Sequence, residues 1–160
     1  VTDEEYAEVH ARGDAILQDA MDLALLTGQR PSDLLKLIRQ DMRDGVLWIV
    51  QAKTGATVGV RIEAELARVL ERILARPRPV PSMYLICDRR GQRIQYNALH
   101  ARFKKALGGA DWQFRDLRAK AATDSPTLKD AQLLLGHGTE TTTAGVYRRS
   151  KGSAVAPLKR

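Results

Sequence analysis

One stretch of this chain does not follow the helical periodicity of its surroundings. In "GVLWIVQAKTGATVGVRI", residues 45–62, the segments Val46–Val50 and Thr57–Ile62 are rich in β-branched residues and flank a turn that contains Thr54 and Gly55. Two such runs joined by so short a link can only pair antiparallel, because a parallel pair needs a crossover of a dozen or more residues. Lys53 then falls at the tip of the hairpin. A single hairpin is marginal on its own and must be covered by other elements. The remaining periodic segments read as helix, so the expected fold is mainly α with a small antiparallel β-hairpin or sheet, an α+β domain.

Residues 3–26 carry acidic side chains at their start and the apolar set Ile16, Leu17, Ala20, Leu23, Ala24 and Leu26 on helical spacing, with a break expected at Gly13. "TGQRPSDLLKLIRQDM" supplies a stop and a restart. Gly28 suits the position after a helix end, Pro31 the first turn of a new helix, and Asp33 the positive end of its dipole, which puts Arg30 at or next to the N-cap. Residues 63–76 form an amphipathic helix with Leu66, Val69, Leu70, Ile73 and Leu74 on one side, closed by Pro77, Pro79 and Pro81. After an apolar run at 83–87 and a turn at Gly91, helices are expected at 96–107, 114–123, 127–135 and 140–149. The tail 151–160 has no periodicity, but Val155, Pro157 and Leu158 give it something to dock with.

A chain of 160 residues can bury roughly 70% of its extended surface around one core. No apolar run approaches the roughly 20 residues that a membrane span requires. The single cysteine, Cys87, can neither close an internal disulfide nor build a metal site, which suits a reducing cytoplasm. His10, His100 and His137 have no ligand spacing with one another or with carboxylates, so neither metal nor cofactor is expected. The chain opens on Val1 inside a segment that already reads as helix, and the expectation is a fragment of something longer.

Charge is distributed unevenly. Residues 1–100 hold 14 Lys or Arg against 14 Asp or Glu, whereas residues 101–160 hold 12 against 5, so the whole net charge of +7 lies in the last 60 residues. Such a block is the footprint of a polyanion partner, nucleic acid or acidic membrane, or else a solvated basic surface.

Within that block, Arg115 and Arg118 in "FRDLRAKAATD" stand three apart and share a helix face. Either an anion sits between them or acidic neighbours offset them, Asp111 with Arg115 and Asp116 with Lys120. In "LLGH", residues 134–137, Gly136 ends a helix and His137 follows it, as a C-cap histidine or as a donor to an anion. Tyr147 precedes Arg148 and Arg149.

Read in order, "TGQRPSDLLKL", "QAKTG" in a hairpin, "FRDLRAKAATD", "LLGH" and then a tyrosine resemble the catalytic domain of the tyrosine recombinases, the phage integrase family. The resemblance covers about residues 14–150. It implies that family's catalytic-domain fold over residues 1–150, with a tail at 151–160 that docks on a neighbouring protomer, and a separate N-terminal DNA-gripping domain lying outside this chain. It also implies cutting and rejoining of double-stranded DNA through a covalent 3′-phosphotyrosine, without metal or ATP, by a protein that assembles as a tetramer on DNA. By position, Tyr147 would be the nucleophile, Arg30 and Arg118 the clamp on the scissile phosphate, and His137 a hydrogen-bond donor to it. Lys53 would be the acid for the leaving 5′-oxygen, and Asp33 a supporting acidic residue.

The chemistry suits those residue types. Guanidinium forks match phosphate oxygens bidentately. A phenol with an ordinary pKa of about 10 needs cations beside it to favour its phenolate. A lysine next to other cations gives up its proton readily. Two features depart from the family pattern. Arg115 stands where many members carry histidine or lysine, and an arginine cannot act as a general base. The spacing from His137 to Tyr147 is ten residues, one more than in the commonest members. A type IB topoisomerase, or a DNA-binding module with impaired catalysis, would carry a similar set. Relaxation of supercoiled plasmid without recombinant product would mark the first, and failure to form any adduct the second.

Overall fold

The computed structural model describes residues 1–136 and 154–158. The expected long first helix is broken at Gly13 into α1, Asp3–Arg12, and α2, Ala15–Thr27. Each half is capped in its own right, α1 by a capping box between Thr2 and Glu5 and α2 by the Asp14 carboxylate on the Leu17 N–H. The sequence "AMDLALLT" is apolar almost all round, and α2 is accordingly the central helix, packed against its neighbours on nearly every side. The restart is a single turn, α3, Pro31–Leu34. It goes no further because Ile38 is extended and bridges Tyr84, which commits the chain to a sheet-like path.

The sheet has one strand more than the hairpin. Met42–Arg43 form a short β1 that pairs antiparallel with β2, Val46–Val50, which pairs antiparallel with β3, Thr57–Arg61. The amphipathic helix is α4, Ala64–Ala75, with Leu66, Val69, Leu70 and Ile73 buried and Leu74 at the edge of the core. Helices α5, Tyr96–Leu107, α6, Asp116–Thr123, and α7, Leu128–Leu135, follow where the periodicity sets them. The expected helix at 140–149 lies outside the described residues. Of the tail, Val155 bridges Val60 in parallel, exchanging hydrogen bonds with Gly59 and Arg61, and the Leu158 N–H reaches the Leu26 carbonyl. Here, then, the described part of the tail docks on its own chain's β3 and α2.

Two carboxylates on α2 that sequence would turn toward solvent are buried. Asp19 takes Arg72 of α4 and Arg76 at that helix's C-cap, while Asp22 takes Arg72 at 2.7 Å, the Tyr6 hydroxyl at 2.5 Å and His10 at 3.2 Å. This network joins α1, α2 and α4 at their polar edges. Burial alone would raise the Asp22 pKa, but hydrogen bonds from His10, Tyr6 and Arg72 outweigh it and hold the carboxyl below its ordinary value. A depressed folded pKa contributes stability that is present above the unfolded value of about 3.9 and is lost as pH falls through the folded one. The melting temperature should therefore drop as pH is lowered below about 4. Asp22→Asn should flatten that acid limb and cost about 1–3 kcal/mol at neutral pH, read by thermal denaturation across a pH series.

Lys120 departs from the expected pairing with Asp116. Its ammonium lies 2.8 Å from both Asp3 and Asp124. Asp116 instead accepts from the Gln113 N–H and closes the first turn of α6. The pairing of Asp111 with Arg115 is likewise not formed among the described residues.

Candidate active site

The site grows out of three chain ends. Helix α2 stops at Gly28, whose φ of +65° is a left-handed conformation that glycine adopts without strain, and a side chain there would press on Leu134 of α7. Two residues later Arg30 is the N-cap of α3, with Pro31 at the first helical position. Arg30 keeps about a quarter of its side chain exposed, yet its NH1 is buried without a hydrogen-bond partner. The nearest counter-charge is Asp33 Oδ2 at 3.9 Å, which also lacks a hydrogen-bond partner. Asp33 is otherwise engaged, for its Oδ1 accepts from the Ala52 N–H at 2.9 Å. One carboxylate thus stands beside Arg30 and fixes the residue before Lys53.

Arg118, in the first turn of α6, enters from the other side. Its NH1 donates to the Gly28 carbonyl at 2.6 Å and its NH2 to the Leu135 carbonyl at 2.8 Å, so the guanidinium braces the ends of α2 and α7 against each other. Two of its five N–H bonds are spent on these carbonyls, and among the described residues the other three make no hydrogen bond. Burial, then the charge of Arg30, push the Arg118 pKa down to about 10, with Asp33 opposing them. The group stays protonated at neutral pH, with the Arg30 charge acting unfavourably on it.

Lys53 is exposed in the loop that joins β2 to β3. That loop closes on Gln51, whose N–H donates to the Ala56 carbonyl and whose carbonyl accepts from the Gly55 N–H. Arg115 is the N-cap residue of α6 and is exposed, so the two arginines of "FRDLR" have different environments, with only Arg118 drawn in. His137 and Tyr147 lie outside the described residues, although Gly136, the left-handed cap of α7, fixes where the chain leaves toward them. The structure therefore brings together Arg30, Asp33, Arg118 and the base of the Lys53 loop, and leaves Arg115 exposed at the start of α6. Among the described residues no group of three His, Cys, Asp or Glu side chains converges to hold a metal ion.

The arrangement is a cationic cluster built from helix ends, and its type is set by comparison with known proteins. The profile of the phage integrase family matches residues 5–153. This chain belongs to the phage integrase family. The integrase of Escherichia phage lambda is 27% identical over 169 residues, an alignment that takes in 95% of this chain and 47% of the phage protein. The chain thus spans about half the length of the curated relatives it matches. Among solved structures, the lambda integrase catalytic core superposes with a TM-score of 0.75 at 25% identity, covering 86% of this chain and 94% of that one. A lambda integrase tetramer bound to a Holliday junction superposes with a TM-score of 0.77 at 25% identity, over 89% of this chain and 46% of that one. The helix-rich fold with its small antiparallel sheet is therefore the integrase catalytic-core fold.

Sequence reasoning overlooked two residues at the centre of the site. Gln29 and Gln51 are both buried and hydrogen-bond each other between the Arg30 and Lys53 segments. The only local signal was their position, one residue before Arg30 and two before Lys53.

Proposed function

We propose that this chain is the catalytic domain of a site-specific DNA recombinase, cutting and rejoining double-stranded DNA through a 3′-phosphotyrosine at Tyr147, without metal or ATP. The observation that carries this reading is the buried Arg30 NH1 with no hydrogen-bond partner, near enough to Arg118 for its charge to lower that group's pKa, while Arg118 spends only two of its donors among the described residues. An unpaired buried donor costs about 1–3 kcal/mol, a cost that a bound phosphate would remove. Arg30 and Arg118 clamp the nonbridging oxygens, His137 donates to the same phosphate, and Lys53 protonates the leaving 5′-oxygen. Asp33 orients Arg30 and the Lys53 loop. Arg115 adds positive charge at the rim and cannot remove the phenol proton, which passes to water or another base.

DNA binding and self-association follow the same kinship, since the lambda relative forms a tetramer on a Holliday junction. The tail 151–160 is the segment read as passing to a neighbour. Its described contacts with β3 are backbone hydrogen bonds, which the same edge of a second copy offers equally. The setting is the cytoplasm of a bacterial host, on the nucleoid.

The test uses a pool of nicked suicide duplexes with a randomised core, from which a short fragment diffuses away after cleavage and traps the protein. Wild-type chain should yield an adduct that survives denaturation, with the nucleotide mapped by mass spectrometry to the peptide containing Tyr147. Reversible binding with no adduct from any duplex in the pool would leave only a DNA-binding module.

A further inference from the structure

Three segments that carry proposed active-site residues meet at one buried pair of amides. Gln51 donates from Nε2 to Gln29 Oε1 at 2.7 Å and to the Leu135 carbonyl at 2.9 Å, while its Oε1 accepts from the Thr54 hydroxyl at 2.8 Å. Gln29 in turn donates from Nε2 to the Thr27 carbonyl at 2.9 Å and the Leu134 carbonyl at 2.6 Å. Every polar atom of the Gln51 amide is used, and each bond leads to a different part of the site: to the neighbour of Arg30, to the end of α7 just before His137, and into the loop that holds Lys53. The Leu135 carbonyl also receives Arg118 NH2, so the amide pair and the arginine brace share one acceptor.

The fit leaves no room for change. A Cβ on Gly136 would stand 2.9 Å from Gln51 Nε2, 3.1 Å from its Oε1 and 3.0 Å from Val58 Cγ2, and Gly136 already has a φ of +75°. The glycine of "LLGH" therefore serves Gln51 as well as the helix end. Buried and satisfied amide networks of this kind hold their members in a single arrangement. Thr54 and the loop backbone, hydrogen-bonded to Gln51, hold the short arc 52–55 that contains the exposed Lys53.

We propose that Gln51, braced by Gln29, is a positioning residue that sets the Lys53 loop against the α7 terminus, so that the Lys53 ammonium reaches the leaving oxygen. The proposal rests on the reading of Lys53 as the acid. In that step the phosphorus–tyrosine oxygen bond forms, the phosphorus–5′-oxygen bond breaks, and the departing oxygen takes a proton from Lys53. A loop free to move by about 1 Å would lose on the order of 10²-fold in rate through misplacement alone.

A duplex with sulfur in place of the bridging 5′-oxygen separates positioning of the acid from general damage. The sulfur leaves as a thiolate, whose conjugate acid has a pKa of about 8.5 against about 15.7 for water, so its departure needs no acid. Single-turnover cleavage is measured for wild type, Gln51→Met and Lys53→Ala on oxygen and sulfur versions of a duplex recovered from the pool. Gln51→Met should be slowed about 10²-fold on oxygen and lie within about 3-fold of wild type on sulfur, as a loop misplaced only with respect to the acid step requires. Equal slowing of Gln51→Met on both duplexes, while Lys53→Ala is rescued by sulfur, overturns the positioning role and leaves the acid intact. Failure of sulfur to rescue Lys53→Ala removes the acid reading, and the positioning role with it. Should Gln51→Met not fold, Thr54→Val removes only the hydroxyl that ties the loop to Gln51. It should be slowed about 10-fold on oxygen and rescued on sulfur, since one hydrogen bond is worth about 1.4 kcal/mol here. An unchanged rate on oxygen overturns the proposal.

Discussion

Changing Tyr147 to phenylalanine is expected to abolish the covalent adduct, lowering cleavage by at least about 10⁴-fold, while leaving equilibrium DNA binding within a few-fold of wild type. Phenylalanine keeps the ring and removes only the oxygen proposed to attack phosphorus. Removing a nucleophile has a larger effect than removing one donor because the bond to phosphorus is then not formed at all. Each remaining tyrosine is committed or set differently. Tyr6 is buried and donates its hydroxyl to Asp22, Tyr84 belongs to the bridge with Ile38, and Tyr96 lies stacked on His100 at the start of α5. A residual adduct in Tyr147→Phe that mapped to one of these three would overturn the assignment. Persistence of binding matters equally, since the Arg30 and Arg118 guanidiniums do not depend on the phenol oxygen.

The sequence carried most of the scaffold because its signals were local. Helix α5 runs Tyr96–Leu107 with Gly108 in the left-handed conformation beyond it, as apolar spacing followed by two glycines requires. The strands of the hairpin and the restart at Pro31 were equally legible from β-branching and from proline and glycine chemistry. What could not be read were pairings between distant segments. Asp19 and Asp22 resemble the solvent face of a helix until Arg72 and Arg76 arrive from 50 or more residues away. Lys120 has acidic residues four positions to either side, and the choice of Asp124 was decided by Asp116 capping the Gln113 N–H. Strand β1 is two residues long and exists only because β2 offers an edge. Motif order singled out Arg30, Asp33 and Arg118, which the fold draws near one another. It did not single out the Gln29–Gln51 pair, since two glutamines 22 residues apart have no periodicity, and only tertiary folding makes them neighbours.

Arg30 and Arg118, the proposed phosphate clamp, are expected to respond in opposite ways when stability and activity are measured together. Arg30→Met should slow cleavage about 10²- to 10³-fold, as loss of one preorganised donor does, without lowering the melting temperature. In the unliganded protein Arg30 contributes a buried, unpartnered NH1 and a charge that acts unfavourably on Arg118, offset only by Asp33 at 3.9 Å. Arg118→Lys should slow cleavage by a similar factor or more and also lower the melting temperature. A lysine has one charged nitrogen and cannot span the Gly28 and Leu135 carbonyls that the guanidinium joins. Inorganic sulfate should raise the melting temperature of wild type, because a ligand that binds only the folded state stabilises it, and should do so much less for Arg30→Met. If Arg30→Met melted several degrees below wild type and sulfate stabilised both proteins alike, Arg30 would be a structural residue. The expected opposition is what the proposed phosphate clamp requires: Arg118 joins the ends of α2 and α7 through two carbonyls, whereas Arg30 has a buried NH1 that the fold does not use, so only Arg118 should matter to stability while both matter to cleavage.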